Sequence, residues 1–203
     1  MIAIVDYDIG NLAAVENMFR RLGIDSEITA RPEAIERADR IILPGNGAFD
    51  ACMTALRGSG LVPILESRAL RDKVPVLGIC VGAQLLGKGS DEGSEPGLGW
   101  LDMRVRRFPS MPGLRVPHMG WSYVTAAAPG HPLAQGIDES TRYYFVHSYY
   151  MDPADPGTVL LSARYGIDFA AAVCDGNIAG VQFHPEKSHR FGKRLLAGFA
   201  EIP

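Results

Sequence analysis

A cysteine between two glycines is the feature of this 203-residue sequence that points most directly to chemistry. In residues 76–86, an apolar run leads into Gly78, Cys80 and Gly82 and then into a helical pattern. This spacing is typical of a nucleophile elbow, a sharp strand-to-helix turn in which glycines remove Cβ atoms that would clash. Cys80 would then lie at a helix N-terminus, where amide groups favour a thiolate and the Val81 N–H can face an oxyanion. On the local pattern alone, a small buried core residue is the better interpretation of Cys80.

A histidine with a carboxylate two residues later could supply the base for this thiol. An apolar run at residues 180–183 leads into His184, Pro185 and Glu186. In extended backbone, side chains two residues apart point the same way, so Glu186 could reach the imidazole. A carboxylate that accepts the Nδ1–H would leave Nε2 free to take the thiol proton. The alternative is a surface ion pair at the end of a strand.

A glycine-rich turn offers the third component, a place for an oxyanion. Pro44, Gly45, Asn46 and Gly47 follow an apolar run and precede a helical pattern. Backbone N–H groups in such a turn could stabilise the oxyanion that forms when a thiolate attacks an amide carbonyl. The same pattern also occurs in ordinary strand-to-helix connections. Ligands of open parallel sheets bind beyond the carboxyl ends of the strands, however, so this turn and the segments with Cys80 and His184 are predicted to meet at one sheet edge.

The apolar pattern predicts an α/β fold with a mostly parallel sheet flanked by helices. In the first half, strand-sized runs alternate with helical patterns, which is typical of a parallel sheet covered on both faces. The strands are expected at residues 2–5, 24–28, 40–43 and 74–79, and the helices at 12–22, 32–37, 48–56 and 61–70. The second half suggests β runs at residues 103–108, 143–150, 159–163, 169–174 and 178–183, several of them antiparallel additions. A closing helix is expected at 190–200 and a surface loop at 88–99.

Composition places the chain among ordinary globular proteins and excludes several classes. Its length fits a single domain over residues 1–203. The net charge is −3 and basic residues are scattered, so the sequence indicates no nucleic-acid partner. Cys52, Cys80 and Cys174 are too few and too far apart for a disulfide framework or a metal knuckle. With no leader or membrane-spanning pattern at the start, a cytoplasmic location is expected.

Together, these motifs resemble those of the triad, or class-I, glutamine amidotransferases. The matching segments are the Pro-Gly-x-Gly turn, then residues 78–84, then His184-Pro185-Glu186, in that order. The chain is further similar to the glutaminase subunits of imidazole glycerol phosphate synthases. That likeness comes from motifs at residues 6–12, 117–121, 143–149 and 182–188, which span nearly the whole chain.

The resemblance implies hydrolysis of glutamine without a metal or organic cofactor. The ammonia would pass to a partner cyclase subunit, a (β/α)₈ barrel in a heterodimer, which makes imidazole glycerol phosphate and AICAR in histidine biosynthesis. By motif, Cys80, His184 and Glu186 would form a catalytic triad. The other roles are oxyanion binding by the backbone of Gly45, Asn46, Gly47 and Val81, glutamine binding by Gln84, His147, Ser148 and Tyr149, and partner contact by Asn11, Trp121, Tyr144 and Lys187.

The sequence departs from the family pattern at a few positions outside the triad. Ala83 replaces a usual methionine, Asn46 an apolar residue, Asp8 a small residue and Ser122 an asparagine. Because Asp8 and Ser122 lie near expected partner contacts, they put the ammonia acceptor in doubt. Residues 97–100 also resemble a paralogous group that feeds ammonia to sugar amidotransferases for surface polysaccharides. The sequence is also compatible with a hydrolase of the same architecture that acts on another electrophile, and with a non-catalytic scaffold that only binds a partner.

Overall fold

Strands and helices alternate through the first half of the chain, as the sequence predicts. The computed structural model describes residues 1–202. β1 pairs in parallel with β2 and β3, and β3 pairs in parallel with β4. The elements are β1 (Ile2–Val5), α1 (Leu12–Leu22), β2 (Ser26–Thr29), α2 (Pro32–Glu36), β3 (Arg40–Gly45), α3 (Phe49–Gly58), α4 (Val62–Glu66), β4 (Val76–Cys80) and α5 (Val81–Leu85).

The second half extends this sheet with antiparallel strands, again as predicted. β11 lies parallel to β4 and antiparallel to β10, so it joins the two halves. The sheet order is β2-β1-β3-β4-β11-β10-β9-β6-β7, with β5 joined to β8, and β8 to β10, beside this path. The elements are β5 (Met103–Arg107), β6 (His118–Ala126), β7 (Arg142–His147), β8 (Tyr149–Pro153), β9 (Val159–Tyr165), β10 (Ile167–Asp175), β11 (Ile178–Val181) and α6 (His189–Glu201).

The core lies on both faces of the parallel strands. All residues of β1, β4 and β11 are buried, which fits strands that are covered by helices on both sides. The predicted closing helix is α6, and its apolar face buries Phe191, Leu195, Leu196 and Phe199. None of the helices within residues 1–202 is long and apolar enough to cross a membrane.

Most predicted elements of the first half differ from the observed bounds by one or two residues, and two of them show instructive differences. The strand expected at residues 24–28 begins at Ser26, because Gly23 caps α1 in the left-handed conformation and the Ile24 N–H still donates to the Phe19 carbonyl. The helix expected at residues 61–70 is α4 followed by a π-helical turn at Ser67–Arg71.

The largest difference from the sequence prediction lies in the second half. The run at residues 143–150 is not one strand, because β7 ends at His147 and β8 begins at Tyr149. β7 pairs with β6, whereas β8 pairs with β5, so the chain changes partner at Ser148. β6 itself was not predicted, since its side chains alternate between a buried and an exposed face and its apolar residues do not form a continuous run.

Candidate active site

Cys80 lies at the sharp turn between β4 and α5 that the glycine spacing predicts. Its backbone has φ 55° and ψ −114°, a conformation that is strained for a residue with a side chain. A Cβ on Gly78 would lie 2.5 Å from the Ala83 Cα, and one on Gly82 would lie 2.0 Å from the Leu43 carbonyl oxygen. The two glycines are therefore required by close backbone contacts. Because α5 has only five residues, its helix dipole is small, and the turn would stabilise an anion through its local N–H groups.

His184 and Glu186 form a buried pair. The His184 Nδ1 lies 2.8 Å from the Glu186 Oε1, and the two side chains are 5% and 2% exposed, which excludes a solvated surface ion pair. Burial lowers the pKa of His184, but the Cys80 and Glu186 side chains outweigh it and raise the pKa to about 9. Within residues 1–202, the His184 Nε2 makes no hydrogen bond of good geometry. The Cys80 sulfur is thus near enough to favour the imidazolium without occupying Nε2 in a well-aligned bond.

The backbone around His184 explains why Glu186 reaches the ring. The expectation of extended backbone is wrong here, because Pro185–Lys187 is a turn of 3₁₀-helix. The His184 N–H donates to the Tyr144 carbonyl at 2.9 Å. Ser188, which is fully buried, donates its hydroxyl to the His184 carbonyl at 2.7 Å and accepts the Tyr144 N–H at 3.0 Å. These bonds fix the turn against β7, so the ring and carboxylate meet at the end of the sheet.

The predicted oxyanion turn packs directly against the cysteine turn. The register of β3 and β4 places Gly45 opposite Cys80. A Cβ on Gly45 would lie 2.2 Å from the Gly82 nitrogen, so only glycine permits this approach. Within residues 1–202, the N–H groups of Asn46 and Gly47 donate to no protein acceptor. Cys52, a fully buried residue of α3, donates its thiol to the Asn46 carbonyl at 3.4 Å and supports the turn from the protein interior.

A cleft of about 220 Å³ opens beside the cysteine. Its size suits a small metabolite and not a folded macromolecule. The turn at residues 46–47 forms one wall and residues 146–149 form the opposite wall. The lining residues are Asn46, Gly47, Cys80, Val81, Gln84, Glu92, Pro117, Val146, His147, Ser148 and Tyr149.

All four residues predicted to hold the substrate line this cleft. The Gln84 amide nitrogen donates to the Tyr149 carbonyl at 3.2 Å and to the Gln182 Oε1 at 3.1 Å. His147 uses both ring nitrogens inside the protein, one on the Tyr149 carbonyl at 2.7 Å and one on His118 at 2.9 Å. Ser148 lies at the break between β7 and β8, and its carbonyl accepts the Phe108 N–H at 3.1 Å.

Two residues of the site were missed by the sequence prediction. Glu92 lines the cleft, and its Oε2 accepts the Phe49 N–H at 2.8 Å at the start of α3. It lies in the segment predicted only as a surface loop, which Asp50 holds by accepting the N–H groups of Ser94 and Glu95. Gln182 is fully buried, and its Nε2 lies 4.0 Å from the Cys80 sulfur. A glutamine inside an apolar strand pattern was the available signal for Gln182, whereas no local signal marked Glu92.

The residues predicted at a partner face lie together on the other side of His184. A small groove there is lined by Asn11, His184, Glu186 and Lys187, among others. The Lys187 ammonium lies 5.9 Å from the centre of the Tyr144 ring, and the Trp121 and Tyr144 rings are 6.0 Å apart. Asn46 lines both this groove and the larger cleft, so the oxyanion turn separates the two openings.

The charged and titratable groups at the site are suited to covalent acyl chemistry. A cysteine, a buried imidazole with a carboxylate on its far nitrogen, and free backbone N–H groups are the parts that nucleophilic attack on a carbonyl requires. Within residues 1–202, no group of three His, Cys, Asp or Glu side chains is arranged to hold a metal ion.

Comparison with known proteins gives the same assignment at the level of the family. The family model for class-I glutamine amidotransferases matches residues 3–201. The imidazole glycerol phosphate synthase subunit HisH 2 of Pseudomonas aeruginosa is 50% identical over 202 residues and covers 100% of both chains. The corresponding HisH subunit of Bdellovibrio bacteriovorus is 49% identical over 205 residues, also with 100% of both chains covered.

Solved structures share the fold at much lower identity. A crystal structure of a glutamine amidotransferase matches with a TM-score of 0.76 and 23% identity, covering 99% of this chain and 98% of that one. The PurLQS structure from Thermotoga maritima matches with a TM-score of 0.76 and 16% identity, covering 98% and 96%. With the family model matched over almost the whole chain and relatives at half identity over their full length, the chain belongs to the class-I glutamine amidotransferase family.

Proposed function

We propose that this protein hydrolyses glutamine to glutamate and ammonia and delivers the ammonia to a synthase subunit. The observation that carries the proposal is the juxtaposition of the Cys80 turn, the His184–Glu186 pair and the turn at residues 45–47 around one metabolite-sized cleft. The HisH names of the full-length relatives support imidazole glycerol phosphate synthase, and hence histidine biosynthesis, as the destination of the ammonia.

The geometry supports acyl transfer through a thioester. The Cys80 thiol gives its proton to the His184 Nε2, and the resulting thiolate attacks the side-chain amide carbon of glutamine. The oxyanion that forms accepts hydrogen bonds from N–H groups of the turn at 45–47 and of Val81. His184, now protonated at Nε2, gives this proton to the amide nitrogen, which departs as ammonia when the C–N bond breaks. It then removes a proton from the water that hydrolyses the thioester. Glu186 accepts the Nδ1–H throughout and stabilises the imidazolium.

The partner is proposed to dock on the face that carries Trp121, Tyr144 and Lys187. Met119, Trp121 and Tyr123 alternate along the outer face of β6 and are 62%, 42% and 60% exposed. Exposed aromatic and methionine side chains on one strand are typical of an interface. The groove beside Asn11 and Lys187 leads from His184 toward this face, which makes it the proposed exit for ammonia into a (β/α)₈-barrel cyclase.

A glutamate-release assay with and without candidate synthase subunits tests the proposed function. We expect release that rises when the cyclase subunit from the same organism is added, and transfer of the ammonia into imidazole glycerol phosphate. Activation by a sugar amidotransferase but not by the cyclase would replace the histidine pathway with polysaccharide synthesis. No glutamate release with any partner would contradict the assignment as a glutaminase.

Replacing Glu186 with glutamine should lower glutaminase kcat by about 10²- to 10⁴-fold. The substitution keeps the side-chain shape but removes the charge that stabilises the imidazolium, and the amide can present N–H in place of an acceptor to Nδ1. The pKa of His184, which Glu186 helps to raise, should fall, and NMR titration of the ring would measure it. Unchanged kcat and unchanged titration would contradict the role of Glu186.

Replacing Trp121 with alanine should weaken binding of the synthase subunit by about tenfold or more. A half-exposed tryptophan that stacks on His189, with ring centres 5.6 Å apart, is the kind of anchor that dominates interfaces. The matched control is Leu70→Ala, since Leu70 is also exposed, at 40%, but lies outside the β6 face. Calorimetry would measure both affinities. Equal effects of the two substitutions would place the interface elsewhere.

A further inference from the structure

A continuous series of hydrogen bonds connects β6 to the wall of the cleft. The Ser122 hydroxyl lies 2.8 Å from the His118 Nε2, and the His118 Nδ1 lies 2.9 Å from the His147 Nε2. The His147 Nδ1 in turn lies 2.7 Å from the Tyr149 carbonyl oxygen. The series therefore starts on the inner face of β6, opposite the exposed face that carries Trp121 and Tyr123, and ends at the wall of the cleft.

The Tyr149 carbonyl, at one end of this series of hydrogen bonds, determines the direction of every bond in the series. The Tyr149 carbonyl can only accept, so the His147 Nδ1 carries a proton and donates it. For a neutral ring, the His147 Nε2 then accepts from the His118 Nδ1–H. The His118 Nε2 is left as an acceptor and takes the hydroxyl hydrogen of Ser122. Both rings are thus assigned as neutral Nδ1–H tautomers, with no nitrogen left unpaired.

The surroundings of the two rings keep them neutral and immobile. His118 stacks between Tyr165 and Phe145, with ring centres 4.0 and 4.9 Å away. His147 packs against Phe108, Phe145 and Phe169. Burial lowers the pKa of His118 to about 4 and that of His147 to about 3. The hydrogen bond to the Tyr149 carbonyl raises the pKa of His147, but burial outweighs it, and a positive charge on nearby His184 lowers the pKa further.

Beyond the Tyr149 carbonyl, the chain continues to the cysteine. That carbonyl also accepts the Gln84 amide at 3.2 Å, and the same Gln84 nitrogen donates to the Gln182 Oε1 at 3.1 Å. Gln182 consequently directs its own amide nitrogen toward the Cys80 sulfur, 4.0 Å away. The Tyr149 carbonyl is the point where the histidine pair and the glutamine side chains meet.

We propose that His118 and His147 are positioning residues, a neutral pair that holds the Ser148–Tyr149 wall of the cleft in the geometry that binds substrate, with Ser122 donating the hydrogen bond that satisfies the His118 Nε2. The inference rests on the proposed function, because the cleft is taken to bind glutamine. The ring nitrogens of both residues are used in hydrogen bonds within the protein, so the pair acts on substrate affinity through the backbone at Tyr149. Ser122, which replaces the asparagine of the family pattern, keeps a hydrogen-bond donor beside the His118 Nε2.

Nitrogen-15 NMR of the histidine rings in the complex with the synthase subunit tests the pair without relying on catalysis. At pH 7.5 we expect both His118 and His147 to be neutral with the proton on Nδ1, and a coupling between the His118 Nδ1 and the His147 Nε2 across the hydrogen bond. An Nε2–H tautomer or an imidazolium at either position would overturn the assignment.

Kinetics with glutamine test the positioning role. His118→Leu removes both nitrogens at similar volume, and we expect KM to rise about tenfold, the effect of one unsatisfied buried acceptor, with kcat changed much less. His118→Asn keeps an amide donor near the position of Nδ1 and should recover most of that loss. Ser122→Ala should raise KM by a smaller factor, and Thr125→Ala, at an exposed position on the same strand, should leave it unchanged.

The outcomes separate this inference from the proposed function. A wild-type complex that releases no glutamate overturns the proposed function. An active wild type whose His118→Leu variant keeps its KM, or loses only kcat, overturns the positioning role alone. Equal KM values for the leucine and asparagine variants would also overturn it, since the asparagine variant differs from the leucine variant in its hydrogen-bond donor.

Discussion

Cys80→Ala is expected to lower glutamate release by about 10⁴-fold or more and to leave the affinity for the synthase subunit unchanged. The thiol is the proposed nucleophile, so without it only substrate binding and the oxyanion turn remain to favour reaction with water. The side chain is 3% exposed and lines the cleft, whereas the proposed interface is the exposed face of β6, so its loss should not alter that interface.

A second cysteine provides the matched control for this result. Cys174 is free and partly buried on β10, and its thiol contacts the Gly176 carbonyl at 3.4 Å, outside the cleft. Cys174→Ala should keep full glutaminase activity. A glutamine-analogue electrophile should label the wild type and the Cys174 variant once, at Cys80, as read by mass spectrometry of the peptides. Turnover retained by Cys80→Ala, or labelling at another cysteine, would remove Cys80 from the mechanism.

The parallel half of the sheet and the cysteine turn could be predicted because their signals are local. Strands buried on both faces are continuous apolar runs, and glycines two residues before and after Cys80 mark a backbone turn that admits no Cβ. The rule that sites lie beyond the carboxyl ends of parallel strands then placed Gly45, Cys80 and His184 at one edge. The observed register of β3 and β4 places Gly45 opposite Cys80, in agreement with this prediction.

The cleft wall at residues 146–149 could not be predicted in the same way. Whether Ser148 continues a strand or breaks it depends on β6 and β5, which pair with the two sides of the break and lie far from it in sequence. Such pairing reflects side-chain contacts between distant segments, not a local preference. The contact between His118 and His147 depends on the pairing of β6 with β7, and the position of Glu92 depends on the packing of its loop against α3. Neither can be inferred from the local sequence.

Gly82→Ala is expected to have the largest effect on stability, a loss of about 3 kcal/mol or more in the free energy of unfolding. The added Cβ would lie 2.0 Å from the Leu43 carbonyl oxygen, inside the contact between β3 and α5. Neither group is the free end of a flexible side chain, so the backbone of the nucleophile turn or of the oxyanion turn must move. At this chain length, such a loss lowers Tm by about 10 °C.

Gly58 offers a control in which the same substitution meets nothing. It is the last residue of α3, and a Cβ there has no heavy atom within 4 Å. Gly58→Ala should therefore be neutral or stabilise the protein by up to about 1 kcal/mol, since alanine has less freedom than glycine to lose on folding. Urea unfolding followed by circular dichroism would compare the two variants. If both had the wild-type midpoint, the close approach of the two turns, and with it the proposed oxyanion site, would be wrong. A lowered midpoint for Gly82→Ala alone would indicate that the oxyanion turn and the nucleophile turn form one rigid unit. The backbone contact that excludes the methyl group also sets the distance between the two turns.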